Sequence, residues 1–509
     1  MKRRTSATHT VLISALVTAA GLLSPAFADT ALTLYSSAES GAVPAEFYRP
    51  VDGAEALRGG AVPGFAIVRE ERELDLPAGR SQQRFADVAA YIDPTTVTFA
   101  SLTEPATRVL EQSFQFDLVN SRKLLQRYLG RPVTVERVQG GQVTTLSGTL
   151  LSASDGLVLR AADGTVTALR DHAAIRFPEL PGGLITQPTL EWLLSSPRAG
   201  KQRTRVSYET GGITWWADYN LVFKPGKDAN SGLLDLSAWV SIVNLSGASY
   251  RDTRLKLVAG DVQRATPAQL RPMLRRAEAM MVGAVAEDVG FAEKAFSEFH
   301  LYTLGRRTDL PDNSTRQLEL SDQVRQIPAR KLLVYRGFTA GFGGGPLLER
   351  DYGMTANTKV DVHLEFRNDK SLGLGVPLPA GRIRVSQLDD ADSSLEFIGE
   401  DRIGHTARDE LVRVRLGTAF DVVGERRQVD FAIDTRARWL EEEIEVRVRN
   451  RKREPVEVTV AESMFRTGQW KILRQSQDHT KPDAQNILFA TRLAAGGEAL
   501  IRYRVRYSW

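Results

Sequence analysis

The chain has 509 residues, a formal net charge of +4, 42% hydrophobic and 25% charged residues, and no cysteine. That balance is globular and excludes a wholly disordered, collagen-like or polytopic membrane protein. The missing cysteine excludes disulfide frameworks, CxxC zinc sites, thiol nucleophiles and a cysteine-linked lipid anchor.

Lys2, Arg3 and Arg4 precede an apolar run from Val11 to Leu23, followed by Ser24, Pro25 and the small-x-small triplet Ala26-Phe27-Ala28. This pattern predicts a signal peptide over 1–28, cleaved after Ala28. The run is shorter than the ~20 apolar residues of a membrane helix. No later stretch reaches that length, so no transmembrane helix is expected after cleavage. An exported chain of this size without cysteine fits a Gram-negative periplasm.

Short alternating runs (LTLY, FAIVRE, RELDLPAG, TTVTFASL) separated by Pro, Gly and Asp predict an N-terminal β domain over 29–116. Asp117 is placed to cap a helix from Leu118 to Leu129, stopped by Gly130. Five short strand patterns follow, PVTVERV to AAIRF, separated by Gly140-Gly141, Asp155-Gly156 and Asp163-Gly164. These dipeptides are hairpin signals. Gly148 inside the second strand permits a sharp bend. The unit 117–182 resembles the Sm-like or SH3-like small barrel, with LSGTLLSASDGLVL and LRDHAAI as its two motifs. Asp171 stands where that fold normally has Gly, and RNA is not an expected periplasmic ligand. The 53 Arg residues likewise alternate along strands with Glu and Asp, so no nucleic-acid partner is expected.

Strong aromatic alternation over 183–263 (ITWWADYNLVF, LLDLSAWVSIVN) predicts a central β-sandwich region. Residues 264–298, with Pro267, Pro272, Met280 and Met281, predict a helical or flexible linker. Strand patterns resume at Phe299. They predict a sandwich region over 299–437 and a C-terminal β domain over 438–509, divided near Asp434–Leu440.

The central stretches YETGGITWWADYNLVF and LSAWVSIVNLSGASYRDTRLKLVAGDV, with VPLPAGRIRV and LEFIGEDRIGHTARDELVRVRLGTAFDV further on, resemble the bacterial exported domain-of-unknown-function family 4139. Matching positions include Trp215, Ala217, Asp218, Tyr219, Trp239, Asn244, Gly247, Tyr250, Gly260 and Asp261. The resemblance covers most of the chain after the leader and implies an exported protein without assigning it a chemistry. Some relatives carry a mucoidy-inhibitor-like label, which implies an envelope or exopolysaccharide connection.

The motifs of catalysis are missing. The six His residues (His9, His172, His300, His363, His405, His479) show no metal-ligand spacing, and HExxH, GxSxG and SxxK are absent. AGFGGGP lacks the Lys-Ser/Thr of a phosphate loop. Asp389, Asp390, Asp392 and Ser394 lack the Gly and Glu of a calcium loop and read as a hairpin tip. His363 and Glu365 share one strand face, where they could share a metal or a proton. His405 lies among Glu400, Asp401, Asp409 and Glu410, a setting that can raise an imidazole pKa. In the strand around Trp215, residues Trp215, Ala217 and Tyr219 point one way and Trp216 and Asp218 the other. Trp216 is therefore expected at an edge, an interface or a sugar platform. Ile501, Tyr503, Val505, Tyr507 and Trp509 form an apolar face, read as the last strand of a sandwich.

The sequence thus predicts a mainly β fold of serial small domains. Antiparallel sandwiches are joined by one short helix and a helical linker, and the small barrel is one reading of 117–182. It predicts a non-catalytic envelope protein that binds a protein or a polysaccharide, with no cofactor and no metal. Candidate binding residues are Trp215, Trp216, Asp218, Tyr219 and His405. Two alternatives are a secreted hydrolase with a dispersed active site and an outer-membrane β-barrel; the oligomeric state is not legible.

Overall fold

Period-two alternation dominates the chain, and strands dominate the computed structural model: twenty-eight of them and one α-helix among the described residues. The structure describes residues 29–35, 43, 47–48, 61–139, 142–260, 262, 291–339, 345–354, 356–389 and 391–509. The expected leader with its expected cleavage site, Gly140-Gly141, Asp261, residues 264–290 of the expected linker, most of the AGFGGGP stretch and Asp390 lie outside the described residues.

Two large sheets form the frame. The first has eight strands. Phe291–Phe296, Phe299–Leu304, Tyr250–Ala259, Asp29–Tyr35, Phe65–Leu76, Gly200–Thr210 and Ile92–Ser101 lie in that order, and Thr308–Leu310 pairs with Tyr250–Ala259. The second has twelve strands. Its main path runs Leu395–Ile403, Gly381–Leu388, Ile213–Pro225, Ser231–Asn244, Ser314–Tyr335, Lys359–Arg367, Leu411–Asp434, Trp439–Asn450, Glu498–Ser508 and Gln469–Gln475. Val456–Ser463 branches from it and carries Asn486–Leu493. A three-stranded sheet, Gly79–Ala86, Thr189–Ser196 and Arg108–Gln115, completes the first half.

Strands from the stretches 29–116, 183–263 and 299–310 therefore share one sheet, and strands from 183–263, 299–437 and 438–509 share another. Asp434–Leu440 does not separate two units. It is the turn of a hairpin in which Asp434 pairs with Trp439, and the Asp434 carboxylate accepts the N–H groups of Arg436 and Ala437. The division between cores cuts across strands instead. The 22-residue strand Ser314–Tyr335 buries Leu318, Leu320 and Ile327 in the first core and Leu333 and Tyr335 in the second. The 24-residue strand Leu411–Asp434 does the same with Val412 and Val414, then Val422.

The end of the expected linker is also a strand. Phe291–Phe296 pairs with Phe299–Leu304 through a turn at Ser297, whose φ of 56° marks the reversal. Its Ala, Glu and Lys residues suit a helix, but the open edge of the sheet supplies backbone partners and overrides propensity.

Between the large sheets in sequence, Ala174–Arg176, Pro132–Gln139, Gln142–Ser152, Leu157–Arg160 and Val166–Leu169 form a separate five-stranded sheet around Val133, Val135, Leu150, Leu157 and Leu159. Gly148 sits where a Cβ would lie 2.6 Å from the Arg160 carbonyl, so only glycine lets these strands meet. The helix is shorter than expected, Ser121–Arg127, and Asn120 rather than Asp117 caps it, accepting from the Lys123 N–H at 2.9 Å. Leu118 is held in a β-bridge to Ile185, which pulls the preceding residues out of the helix. Asp117 instead pairs with Lys123 and Arg127.

One device recurs at three strand ends. Asn244, Asn368 and Asn450 are each at most 1% exposed, and each ties a turn to a distant loop. The Asn450 amide donates to the carbonyls of Glu454 (2.8 Å) and Ala494 (2.9 Å), while its oxygen accepts the Lys452 N–H. Asn368 serves Val376, Ala407 and Gly375 in the same way. Asn244 serves Ala248, Leu310, Pro311 and Ser246. Asn450→Ala leaves two carbonyls and an N–H without partners and is expected to lower stability by about 2–4 kcal/mol in urea unfolding. A change under about 0.5 kcal/mol would contradict this role.

Candidate functional site

The strand Ile213–Pro225 lies between Gly381–Leu388, which runs parallel to it, and Ser231–Asn244, which runs antiparallel. Its alternation sends Trp215, Ala217, Tyr219, Leu221 and Phe223 into the first core. The Tyr219 hydroxyl donates to the Pro379 carbonyl at 2.8 Å, and burial pushes its phenol well above the usual range. Trp215 and Tyr219, both 1% exposed, are therefore core residues and not ligand contacts.

Trp216 and Asp218 take the other face, as the alternation requires. Trp216 is nevertheless 6% exposed, packed under Val43, Phe47 and Tyr48 and against Val243, with the Tyr48 ring 5.3 Å away. Its own chain covers it, so it is no sugar platform. Nothing local to the WW pair signals this cover.

Asp218 opens onto a cleft of about 290 Å³, lined also by Asn220, Trp239, Gln317, Arg382 and Arg384 and by the Tyr219 position between. Register builds it. Asp218 pairs with Arg382 on one side and Trp239 on the other, and Asn220 pairs with Arg384 and Ser237. Gly381 is needed here, because a Cβ would lie 2.3 Å from the Ala217 carbonyl and push Arg382 away. Asp218 Oδ1 accepts from Arg382 Nε (3.1 Å) and Nη2 (2.9 Å), so two guanidinium N–H groups converge on one oxygen and clamp it. Its Oδ2 accepts from the Ser241 hydroxyl at 2.6 Å, which in turn accepts from Gln317 Nε2 at 3.1 Å. Arg384 Nε donates to Glu400 at 2.9 Å.

Asp218 is thus an orienting group whose oxygens are used by the protein. The groups left to a ligand are the half-buried indole of Trp239, the exposed amides of Asn220 and Gln317, and the outer guanidinium N–H groups. This array can stack and hydrogen-bond. Ser241, whose hydroxyl donates to Asp218, is buried and does not line the cleft.

His405 is exposed and does not line the cleft. Its Nδ1 accepts the Ala380 N–H at 3.0 Å, beside the Leu378–Thr406 bridge, so it braces the approach to Gly381–Leu388. Its neighbours Glu400 and Asp401 are engaged by Arg384 and by the Arg415 N–H. His363 and Glu365 do share a face, but Glu365 is turned to Arg413 at 2.6 Å, and burial lowers the His363 pKa. Asp389 and Asp392 cap the N–H groups of Ala391 and Ser394 at the hairpin tip. Among the described residues, no group of three or more His, Asp or Glu could hold a metal ion.

The terminal strand resolves in the same terms. Ile501, Tyr503, Val505 and Tyr507 are 0–1% exposed in the second core, while Arg502, Arg504 and Arg506 face outward to Glu445, Glu443 and Glu441. No helix among the described residues is long and apolar enough to cross a membrane.

Of the expected site residues, only Asp218 and the Tyr219 position reach the cleft. Trp239 stood in the central motif and Arg382 and Arg384 in VPLPAGRIRV, but no local signal joined them to Asp218. Compared with known proteins, the chain matches no family model, no curated protein and no solved structure.

Proposed function

We propose that this is an exported, non-catalytic protein of a Gram-negative cell envelope that binds a polysaccharide in the Trp239 cleft. The observation that carries the reading is the half-buried indole of Trp239 in register with the clamped Arg382–Asp218 pair, with the exposed amide of Asn220 beside it. An indole offers an apolar face for the C–H side of a sugar ring, and fixed polar groups around it orient the hydroxyls. The leader over 1–28 and the absence of cysteine support export, and the resemblance to an exported family is consistent with it.

Trp239→Ala removes the stacking face from a position outside both cores. It is expected to weaken binding of envelope oligosaccharides at least about tenfold, near 1.4 kcal/mol, by isothermal titration calorimetry. Unchanged affinity in a folded Trp239→Ala protein, or no binding across a panel of envelope glycans, would sink the proposal. Fractionation of the native host with N-terminal sequencing tests export: a periplasmic protein beginning at Asp29 is the expected result.

A further inference from the structure

The charges around the cleft, taken strand by strand, specify the ligand more closely. Across the sheet one row reads Arg402, Arg382, Asp218, Trp239 and Glu319, and the next reads Glu400, Arg384, Asn220 and Ser237. Paired residues of neighbouring strands project from the same face. The two rows therefore set three guanidiniums against three carboxylates. Arg382 and Asp218 are held as a pair with side chains 18% and 12% exposed, and Arg384 and Glu400 form a second, more open pair at 44% and 42%.

We infer that the cleft takes a neutral, hydroxyl-rich pyranose chain and discriminates against an acidic one; this rests on the polysaccharide reading above. A uronate or phosphate meets, at Arg382 and Arg384, guanidiniums whose charge Asp218 and Glu400 already offset, so it gains little there over a neutral hydroxyl. A face of zero summed charge gives a polyanion little steering. Sugar hydroxyls, by contrast, both donate and accept. They match the Asn220 and Gln317 amides while the ion pairs stay intact. In this scheme Asp218 and Glu400 are positioning residues: each orients an arginine and cancels its charge.

The test uses the full chain after the leader, neutral hexose hexamers (cellohexaose and maltohexaose) and a galacturonate hexamer, titrated at low and high salt. A neutral hexamer should bind with an affinity that changes by less than about twofold with salt, and the uronate more weakly. Glu400→Gln, at the open pair, should raise the uronate-to-neutral affinity ratio at least about threefold and make uronate binding fall with salt. If the uronate binds the parent protein more tightly than either neutral hexamer, and salt weakens it, the inference is overturned. The cleft reading survives that result only if Trp239→Ala abolishes the binding. If neither class binds, both fall. If Glu400→Gln leaves the ratio unmoved while neutral hexamers bind, charge cancellation is not the selecting device and the inference is again overturned.

Discussion

Replacing Arg466 by Met should destabilise the C-terminal half by about 3–5 kcal/mol, more than any exposed ion-pair substitution. Arg466 is fully buried, with Nε on Glu442 at 2.9 Å. Its Nη1 donates to the carbonyls of Leu347 (3.0 Å) and Glu349 (2.8 Å), and its Nη2 to those of Arg350 (3.4 Å) and Tyr352 (3.1 Å). One guanidinium thus holds a loop against the second core. Arg426 repeats the arrangement with Glu462 and the Gly353 carbonyl, both at about 3 Å. Among the described residues the second oxygen of Glu442 has no hydrogen-bond partner, and burial keeps its carboxyl above the usual range even beside Arg466.

Removing Arg466 strands that carboxylate and four loop carbonyls together. Arg466→Met combined with Glu442→Met should recover only the part due to the carboxylate, because the carbonyls remain unpaired. Urea unfolding of the single and double variants measures the split. Stability within about 1 kcal/mol of the parent for Arg466→Met would show that the clamp is dispensable. The outer Arg502, Arg504 and Arg506 ladder is a useful contrast. There the arginines are partly exposed while the glutamates are buried, and Glu445 keeps Arg427 when Arg502 is lost, so Arg502→Gln should cost only about 1 kcal/mol.

Deleting Asp29–Tyr35 is expected to abolish cooperative folding of the first half, a loss of about 5 kcal/mol or more. The strand is internal. It pairs in parallel with Tyr250–Ala259 and antiparallel with Phe65–Leu76, and buries Leu32 and Leu34 in the first core at 1% and 0% exposure. Its loss uncovers two strand edges and a groove lined by Val68, Leu255 and Leu257. Asp29 adds a surface tie: its hydrogen bond from Arg307 at 2.8 Å, with Arg254 also beside it, holds its carboxyl below the usual range. Circular dichroism and thermal melting of the truncated protein provide the measurement. A parent-like melting transition would show that the eight-stranded sheet closes without it.

Strand identity was legible because each half-buried strand must turn alternate residues inward, and that constraint is written locally. Trp215, Ala217 and Tyr219, or Ile501, Tyr503 and Tyr507, declare their face in one glance at spacing. The five-stranded unit was legible from its Gly-containing turns for the same reason. Near Leu118 and over Phe291–Phe296 the local signal misled, because a bridge to Ile185 and an open sheet edge outweighed helix propensity.

The sequence by itself determined that this protein is made of strands, which residues around Trp215 and Tyr503 turn to the core, and the five short strands of the small sheet. Tertiary structure alone decided which strands are neighbours. It set Asp29–Tyr35 inside a sheet with Tyr250–Ala259, laid Tyr48 over Trp216, and brought Arg382 to Asp218 across 164 positions of chain. The reason is physical: alternation is a property of one backbone, whereas register is a choice among many strands with the same alternation. Only the simultaneous packing of all of them into shared cores makes that choice.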